Sequence, residues 1–428
     1  MKPKTLIAII VFLLVAAGIV FYFLSRAGRG GITTTGTTGS LPSSTTQTFP
    51  SGGSGQGGSV GSSTTGGNAA SSTFGIVSND PTLDYFVDAK NSTTLIEPNG
   101  SIETVANGTT TILSSTTIPN IVSASFSYDG KKILVNSVGS TAVQTSVFDI
   151  ATKSWLQLVP GMKSPVWSPS GYQIAYLNPG NLGTETISLE TITATSAKTA
   201  PLQTLSMEDS SLQWPNKNTL VITDRPSAFA TEAALSFDIG AKTVAPLVVD
   251  YPGLESVWTG PSPMTGLVFS GNAGYQGGSL LLENSTGSPE TLTFTTLPTK
   301  CAFHNDVATT TQTIAASSTK PRASSATSAA STTLITLVTT TTTLNLYCAV
   351  PRDQNTFGVA RLPDEYDQKM FFTSDDFYRV GILSGTLSPI FSDPARTLDA
   401  TDLKVFNGIL FFVNRYDQKL YAIKLANS

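Results

Sequence analysis

An aromatic residue, a polar turn and an apolar run follow one another repeatedly through the middle of the chain, at a spacing that chance rarely keeps. The stretches FSYDGKKILV from Phe126, WSPSGYQIAY from Trp167 and WPNKNTLVIT from Trp214 share this cassette. A looser copy starts at Trp258, with its turn at Gly260 to Pro263 and its strand at Gly266 to Phe269, and another starts at Phe303. Successive aromatics lie 41, 47, 44 and 45 residues apart, and three of the four tryptophans fill the same slot. Between cassettes the chain reads as short alternating apolar runs separated by Gly, Pro, Asn and Asp, which is the pattern of an all-β domain. A unit of about 40 to 50 residues holding four short strands is a β-propeller blade. The aromatic packs between neighbouring blades, and Asp129-Gly130 or Ser170-Gly171 supplies the turn. A large β-sandwich is the competing architecture, but it gives no reason for the period.

Five cassettes give five blades, and the strands at 402–406, 409–413 and 420–425 give a sixth. Residues 83–118 supply either a seventh blade or the strands that complete the sixth. A six- or seven-bladed ring is therefore expected, with seven preferred, and with the two chain ends joined so that no edge strand is left open.

WSPSGYQIAY, and less closely FSYDGKKILV, resembles the TolB-type and WD40-like propeller repeat, whose core reads roughly W-S-P-D-G-K-x-I-A-Y. The run from Leu83 through TTIPN to Phe126 also looks like the opening of membrane-anchored bacterial propellers of no assigned activity. The resemblance covers about residues 83–428 and implies a propeller. It implies little about activity, because propellers host many unrelated functions. The cassettes also depart from the repeat: only the Trp167 copy keeps its Pro, and only the Phe126 copy keeps Asp before Gly.

The amino-terminal part is built differently. Residues 5–24 contain no charge, and 20 helical residues at about 1.5 Å each match a hydrocarbon core of about 30 Å. The expectation is a transmembrane helix after a short cytoplasmic end, 1–4. The run is longer than the apolar part of a cleavable signal peptide and closes on Phe21, Tyr22 and Phe23, which suit an interfacial belt. Lys2 and Lys4 are balanced by Arg26 and Arg29, so the flanking charges leave orientation open. Residues 25–79 read as a Gly/Ser/Thr-rich flexible linker, without one charge from Gly30 to Asn79. Such a stretch cannot offset its ordering entropy by burial. It suits a stalk on an outer membrane face, which places the domain at 80–428 outside the cytoplasm. Within the stalk, GSGQGG at 53–58 and GGSVG at 57–61 satisfy two glycine-rich motifs, but neither lies between a strand and a helix, so composition alone explains them.

Lys and Arg total 25 against 29 Asp and Glu, which provides no basic footprint for nucleic acid. A single histidine, His304, excludes a site built on several imidazoles. Residues 305–343 are almost entirely Thr, Ser and Ala and read as a low-complexity loop inserted between the first two strands of a blade, with 333–338 as a candidate extra strand. Cys301 and Cys348 flank it. A disulfide there closes a loop worth roughly 4 kcal/mol by chain entropy, and two buried thiols are the alternative. His304, three residues from Cys301, points to the opposite strand face and does not make a nucleophile pair. The densest carboxylates, Asp364-Glu365-x-Asp367 and Asp375-Asp376, fall in expected turns without calcium-loop spacing. Sequons at Asn91, Asn99, Asn107 and Asn284 are expected by chance in so Thr-rich a chain.

No catalytic constellation, metal set or cofactor motif emerges. The functional expectation is a membrane-anchored, extracytoplasmic binding or scaffold module for a protein, glycan or envelope component. The alternative is a propeller-type hydrolase or lyase with polar residues converging on the channel.

Overall fold

The computed structural model describes residues 74–428, apart from 141, 194–195, 262, 273, 285–288, 317–332, 383–384 and 426–428. The expected membrane segment 5–24 and the linker up to residue 73 lie outside the described residues. Among the described residues no helix is long and apolar enough to cross a membrane.

Seven four-stranded antiparallel sheets follow one another along the chain. Blade 1 spans 84–114, blade 2 121–157, blade 3 163–205, blade 4 210–252, blade 5 255–291 and blade 6 301–391. Blade 7 takes three strands from 400–424 and its outermost strand, Phe74–Ser78, from the other end of the chain. Phe74 pairs with Ile423 and Ser78 with Leu420. Residues 74–78, which composition assigns to the linker, are thus part of the domain: Phe74, Ile76 and Val77 are enough to add one strand to an open edge. Residues 83–118 form a complete blade, so the count is seven.

The physical basis of the ring is visible in the second strand of each blade. In Gln173–Pro179, Ile174 and Tyr176 pack toward blade 2, whereas Ala175 and Leu177 pack toward blade 4. A sheet buried on both faces needs apolar side chains at successive positions, which is why these strands read as continuous runs such as KILV and TLVI. Seven apolar clusters result, one between each pair of neighbouring blades. Blade 7 meets blade 1 through Phe411, Val413 and Leu420 against Tyr85, Val87 and Leu95, so the ring closes.

Three of the cassette aromatics are buried between blades: Trp167, Trp214 and Trp258. Trp167 Nε1 donates to the carbonyl of Ser125 on the innermost strand of blade 2, 3.0 Å away. Phe126 is half-buried, and it belongs to a chain of rings with Phe86 and Phe406, at centroid separations of 6.1 and 5.9 Å. Phe86 and Phe406 occupy the equivalent slot in blades 1 and 7. Phe86 lies 40 residues before Phe126, a signal that was available in the sequence.

Blade 6 departs from the pattern. Phe303 is only the third residue of an innermost strand that runs from Cys301 to Ala316, paired without interruption to Thr333–Pro351. The insertion 305–343 is therefore not a loop over most of its length. It continues the blade's inner hairpin as a two-stranded ribbon, because Val, Ile and Thr favour extended backbone. The residues between its strands, 317–332, are outside the described set. Cys301 and Cys348 are directly opposed at its base and form a disulfide, with their Cα atoms 4.1 Å apart.

Candidate functional site: the channel mouth and the loop face above it

Call the strands of a blade a to d from the channel outward. The a strands all start at one face of the ring, where the b–c connections also lie. At that face the first residues of several c strands clasp the next blade. Glu185 Oε2 accepts the Ser210 N–H at 3.3 Å, Glu232 Oε2 that of Leu254 at 2.6 Å, and Asp375 Oδ2 that of Ala400 at 2.8 Å. An a strand begins with an N–H that has no partner in its own sheet, and a carboxylate from the preceding blade supplies one. Burial pushes Glu232 up to about 7, against the two N–H groups of Leu254 and Ser227 that favour its ionised form.

The b–c connection of blade 6 is the longest of the described set. It carries two short helices, α1 (Gln354–Val359) and α2 (Asp364–Asp367), the first capped by Asp353, whose carboxylate accepts the N–H groups of Asn355 and Thr356. This segment lies across the corresponding loops of blades 4 and 5. Asp364 Oδ2 accepts the Ala228 N–H at 2.5 Å, and the Gly277 N–H donates to Ala360 at 2.8 Å. Gly277 has φ +61°, and a Cβ there would sit 2.3 Å from the Gly358 carbonyl oxygen, so this contact requires glycine.

Under α2 lies a fully buried charge cluster. Lys300 Nζ contacts Asp375 Oδ2 and Asp399 Oδ1, each at 2.7 Å, and donates to Tyr366, Thr373 and the Ala400 carbonyl. Arg415 completes it from blade 7, 3.1 Å from Asp399 Oδ2 and stacked 3.8 Å from the Tyr366 ring centroid. Burial pulls Lys300 down, but Asp375, with Asp399, outweighs it and holds the lysine above its usual range. Burial likewise opposes ionisation of Asp399, yet Lys300 and the hydrogen bonds keep its pKa below the ordinary value.

Next to this cluster the channel opens into a cavity of about 500 Å³ lined by Val257, Thr299, Tyr366, Asp367, Asp402 and Arg415, among others. A second cavity of about 620 Å³ lies farther along the channel between blades 7, 1 and 2, and Asp402 borders both. In the second, Lys404 joins Asp84 and Asp402. Burial pulls Lys404 down, but these carboxylates outweigh it and raise its pKa. At the first mouth, Glu255 accepts the Thr299 N–H through Oε1 at 2.9 Å, while its buried Oε2 meets no donor. Burial, with the charge of Asp367 beside it, pushes Glu255 up to about 7. Burial also raises Asp367, partly offset by Arg415.

Around the mouth the b–c connections of five consecutive blades present large apolar side chains to solvent, among them Leu182, Phe229, Tyr275, Met370, Phe372 and Tyr416. Phe229 is 58% and Met370 67% exposed. Phe229 and Tyr275 lie 5.4 Å apart between ring centroids, Phe372 stacks on Tyr416 at 5.0 Å, and Arg361 lies over Phe229. None of these six was marked by the sequence, because an exposed aromatic in a turn has no periodic neighbour to identify it.

The sequence-marked polar residues are spread among different tasks. Glu365 accepts the Arg361 N–H, and Asp376 pairs with Arg352 at 2.7 Å. Asp375 and Asp376 open a strand rather than sitting in a turn. His304 is half-buried, 3.8 Å from Asp306, and burial lowers its pKa despite that carboxylate. Cys301 is committed to its disulfide, so it has no thiol for His304 to activate. Among the described residues no group of three or more His, Cys, Asp or Glu is placed to hold a metal ion.

The molecule is a seven-bladed β-propeller, the architecture that the TolB-type and WD40-like resemblance implies. Neither a protein-family model nor a curated protein sequence matches the chain. Among solved structures it is similar to TolB from Acinetobacter baumannii, at 18% identity and TM-score 0.35 over 49% of this chain and 53% of that one. It is also similar to the β-propeller domain of the trilobed protease from Pyrococcus furiosus (11%, TM-score 0.41, 72% and 85% covered). A third is the Cps50 (Swd1) propeller domain from Myceliophteria thermophila (9%, TM-score 0.43, 83% and 100% covered). The chain thus spans about half the length of the TolB structure. The propeller assignment rests on the seven sheets and their ring of contacts.

Proposed function

We propose that the protein is a binding module, held on an outer membrane face by residues 5–24 and their linker, that captures a protein partner on the b–c face of its propeller. One observation carries this reading. Six large apolar side chains, from five consecutive blades, stand exposed around one channel mouth. Isolated exposed apolar residues need no explanation, but several gathered on one face, with two pairs in ring contact, mark an interaction surface. The rigid ring suits this task, since it holds loops from distant parts of the chain in fixed relation. Aromatic and Met side chains with a neighbouring arginine are the composition of a binding hot spot.

The test is crosslinking in intact cells with the full chain, comparing the unaltered protein with the variant F229S/M370S/F372S. A partner captured by the former and lost from the latter, at unchanged melting temperature, supports the reading. Identical capture by both rejects it. Protease added outside intact cells checks the location: survival of the propeller, with digestion only after lysis, contradicts an external domain.

A further inference from the structure

The ribbon of blade 6 makes a second interaction surface, independent of the loop face. Its strands pair from Cys301 opposite Cys348 to Ala316 opposite Thr333 with no bulge. On the far side of the second strand, Asn345 to Pro351 pair with the blade's third strand, from Gly381 to Asp375. Residues 333–344 continue the same edge with no strand beside them among the described residues. Their outward N–H and C=O groups form an open template.

Natural sheets blunt such edges with Lys, Pro, bulges or inward charges. This edge has none of these. Residues 307–316 and 333–344 contain no charged residue, no Pro and no Gly. The nearest charge, Asp306, is buried and held by Asn345 and Tyr347, each at 2.7 Å. The side chains at 307–311 and 338–343 are all exposed, so the ribbon does not pack back on the propeller there.

We propose that this edge pairs with the same edge of a second copy of the chain, joining two blade-6 sheets into one. An edge that meets its own copy antiparallel does so about a two-fold axis, so that residue i of one copy pairs with residue j of the other and j with i, and only the residue on the axis faces its own mate. Thr339 to Thr343, in the half of this edge nearer the propeller, are five consecutive threonines, and a two-fold axis through Thr341 sets Thr340 opposite Thr342 and Thr341 opposite its own mate. Threonine therefore faces threonine in more than one register, a favourable cross-strand pair, and no like charges meet. A foreign strand could add to the same edge through its backbone alone, but a second copy also brings the threonines that face this run.

The experiment uses the full chain in detergent micelles. Its mass is followed by light scattering over a range of concentrations, for the unaltered protein and for T340K/T342K, which sets like charges opposite one another across the two-fold axis. The dimer is expected to form in the unaltered protein and to weaken by about tenfold or more in the lysine variant, with unchanged melting temperature. F229S/M370S, altered only on the loop face, should dimerise normally, so failure of this proposal and failure of the binding-face proposal are distinguishable. A second measurement does not depend on the lysine variant folding: T341C introduces one free thiol on the edge, and mild oxidation should link two copies of the chain. A monomer at all concentrations, a dimer indifferent to T340K/T342K, or a thiol that captures only a different protein would each overturn the proposal.

Discussion

Lys300 and Asp399, 99 positions apart in sequence, meet at 2.7 Å with both side chains fully excluded from solvent. Lys300 ends the turn before blade 6 and Asp399 immediately precedes blade 7, so their contact ties two blades at the point where α2 covers them. A buried lysine is tolerable only because Asp375 and Asp399 face it and Tyr366 and Thr373 fill its remaining geometry. Lys300→Met removes the cation and leaves two buried carboxylates facing each other. The expected loss is about 3–5 kcal/mol in chemical denaturation. A loss below about 1 kcal/mol, the range of an exposed pair, would contradict the role assigned to it.

Glu255 sets a pH dependence whose sign follows from its burial. Its pKa is raised from 4.5 to about 7 in the folded protein. The folded state therefore holds the proton more tightly than the unfolded one. The resulting stabilisation is complete below about 4.5 and is lost as pH rises through about 7. Glu232, also pushed up to about 7, acts in the same direction. Glu255→Gln keeps an acceptor for Thr299 and places a donor where Oε2 had none. The variant should lose less stability than the unaltered protein between pH 5 and 8, by on the order of 1 kcal/mol. Equal losses in the two proteins, measured by denaturant midpoints, would reject the assignment.

The cassette tryptophans should not respond alike. Trp167 Nε1 has an acceptor in the preceding blade, while Trp214 Nε1 is buried without one. Both Trp→Phe changes remove similar apolar area, but only Trp167→Phe also leaves the Ser125 carbonyl without its partner. Trp167→Phe is expected to cost about 1 kcal/mol more than Trp214→Phe. Thermal melts of the two variants provide the comparison, and the reverse order would refute it.

Gly277 controls how closely the blade 6 insertion lies on blade 5. A methyl group there collides with the Gly358 backbone at a positive φ. Gly277→Ala should cost about 1–3 kcal/mol and expose the 354–372 segment to limited proteolysis. An unchanged digestion pattern would show that this contact does not position the insertion.

The disulfide spans a sequence separation of 47. Replacing both cysteines by serine should cost up to about 4 kcal/mol by chain-entropy reasoning. The measurement is the denaturant midpoint of C301S/C348S. A variant as stable as the parent would mean that ribbon pairing already restricts the unfolded chain.

Much of the fold was legible because a propeller repeats its physics. Trp167, Trp214 and Trp258 mark a slot that every blade must fill, and runs such as Gln173–Pro179 announce sheets buried on both faces. Blade 1 was legible only in part, because no glycine turn follows Phe86 as Gly130 follows Phe126 and Gly408 follows Phe406. The strand Phe74–Ser78 was not legible at all. Its local composition matches the linker, and only the open edge of Leu420–Lys424 gives it a reason to pair. The ribbon was hidden by low complexity, since threonine runs suit a loop or an extended strand equally well until a partner strand is present.

The candidate site was less legible than the fold. Asp364, Asp367 and Asp375 stood out as carboxylates, but their tasks depend on partners far along the chain: the N–H of Ala228, the cavity wall, the ammonium of Lys300. Periodicity does not encode such meetings. By itself, the sequence determined strand period, blade length and the apolar slots between blades, all of which are properties of neighbours along the chain. Tertiary structure alone decided which loops share a face, which carboxylates are buried, and that the first strand closes the last blade. Those depend on distances between residues tens to hundreds of positions apart, which are fixed only when the ring is complete.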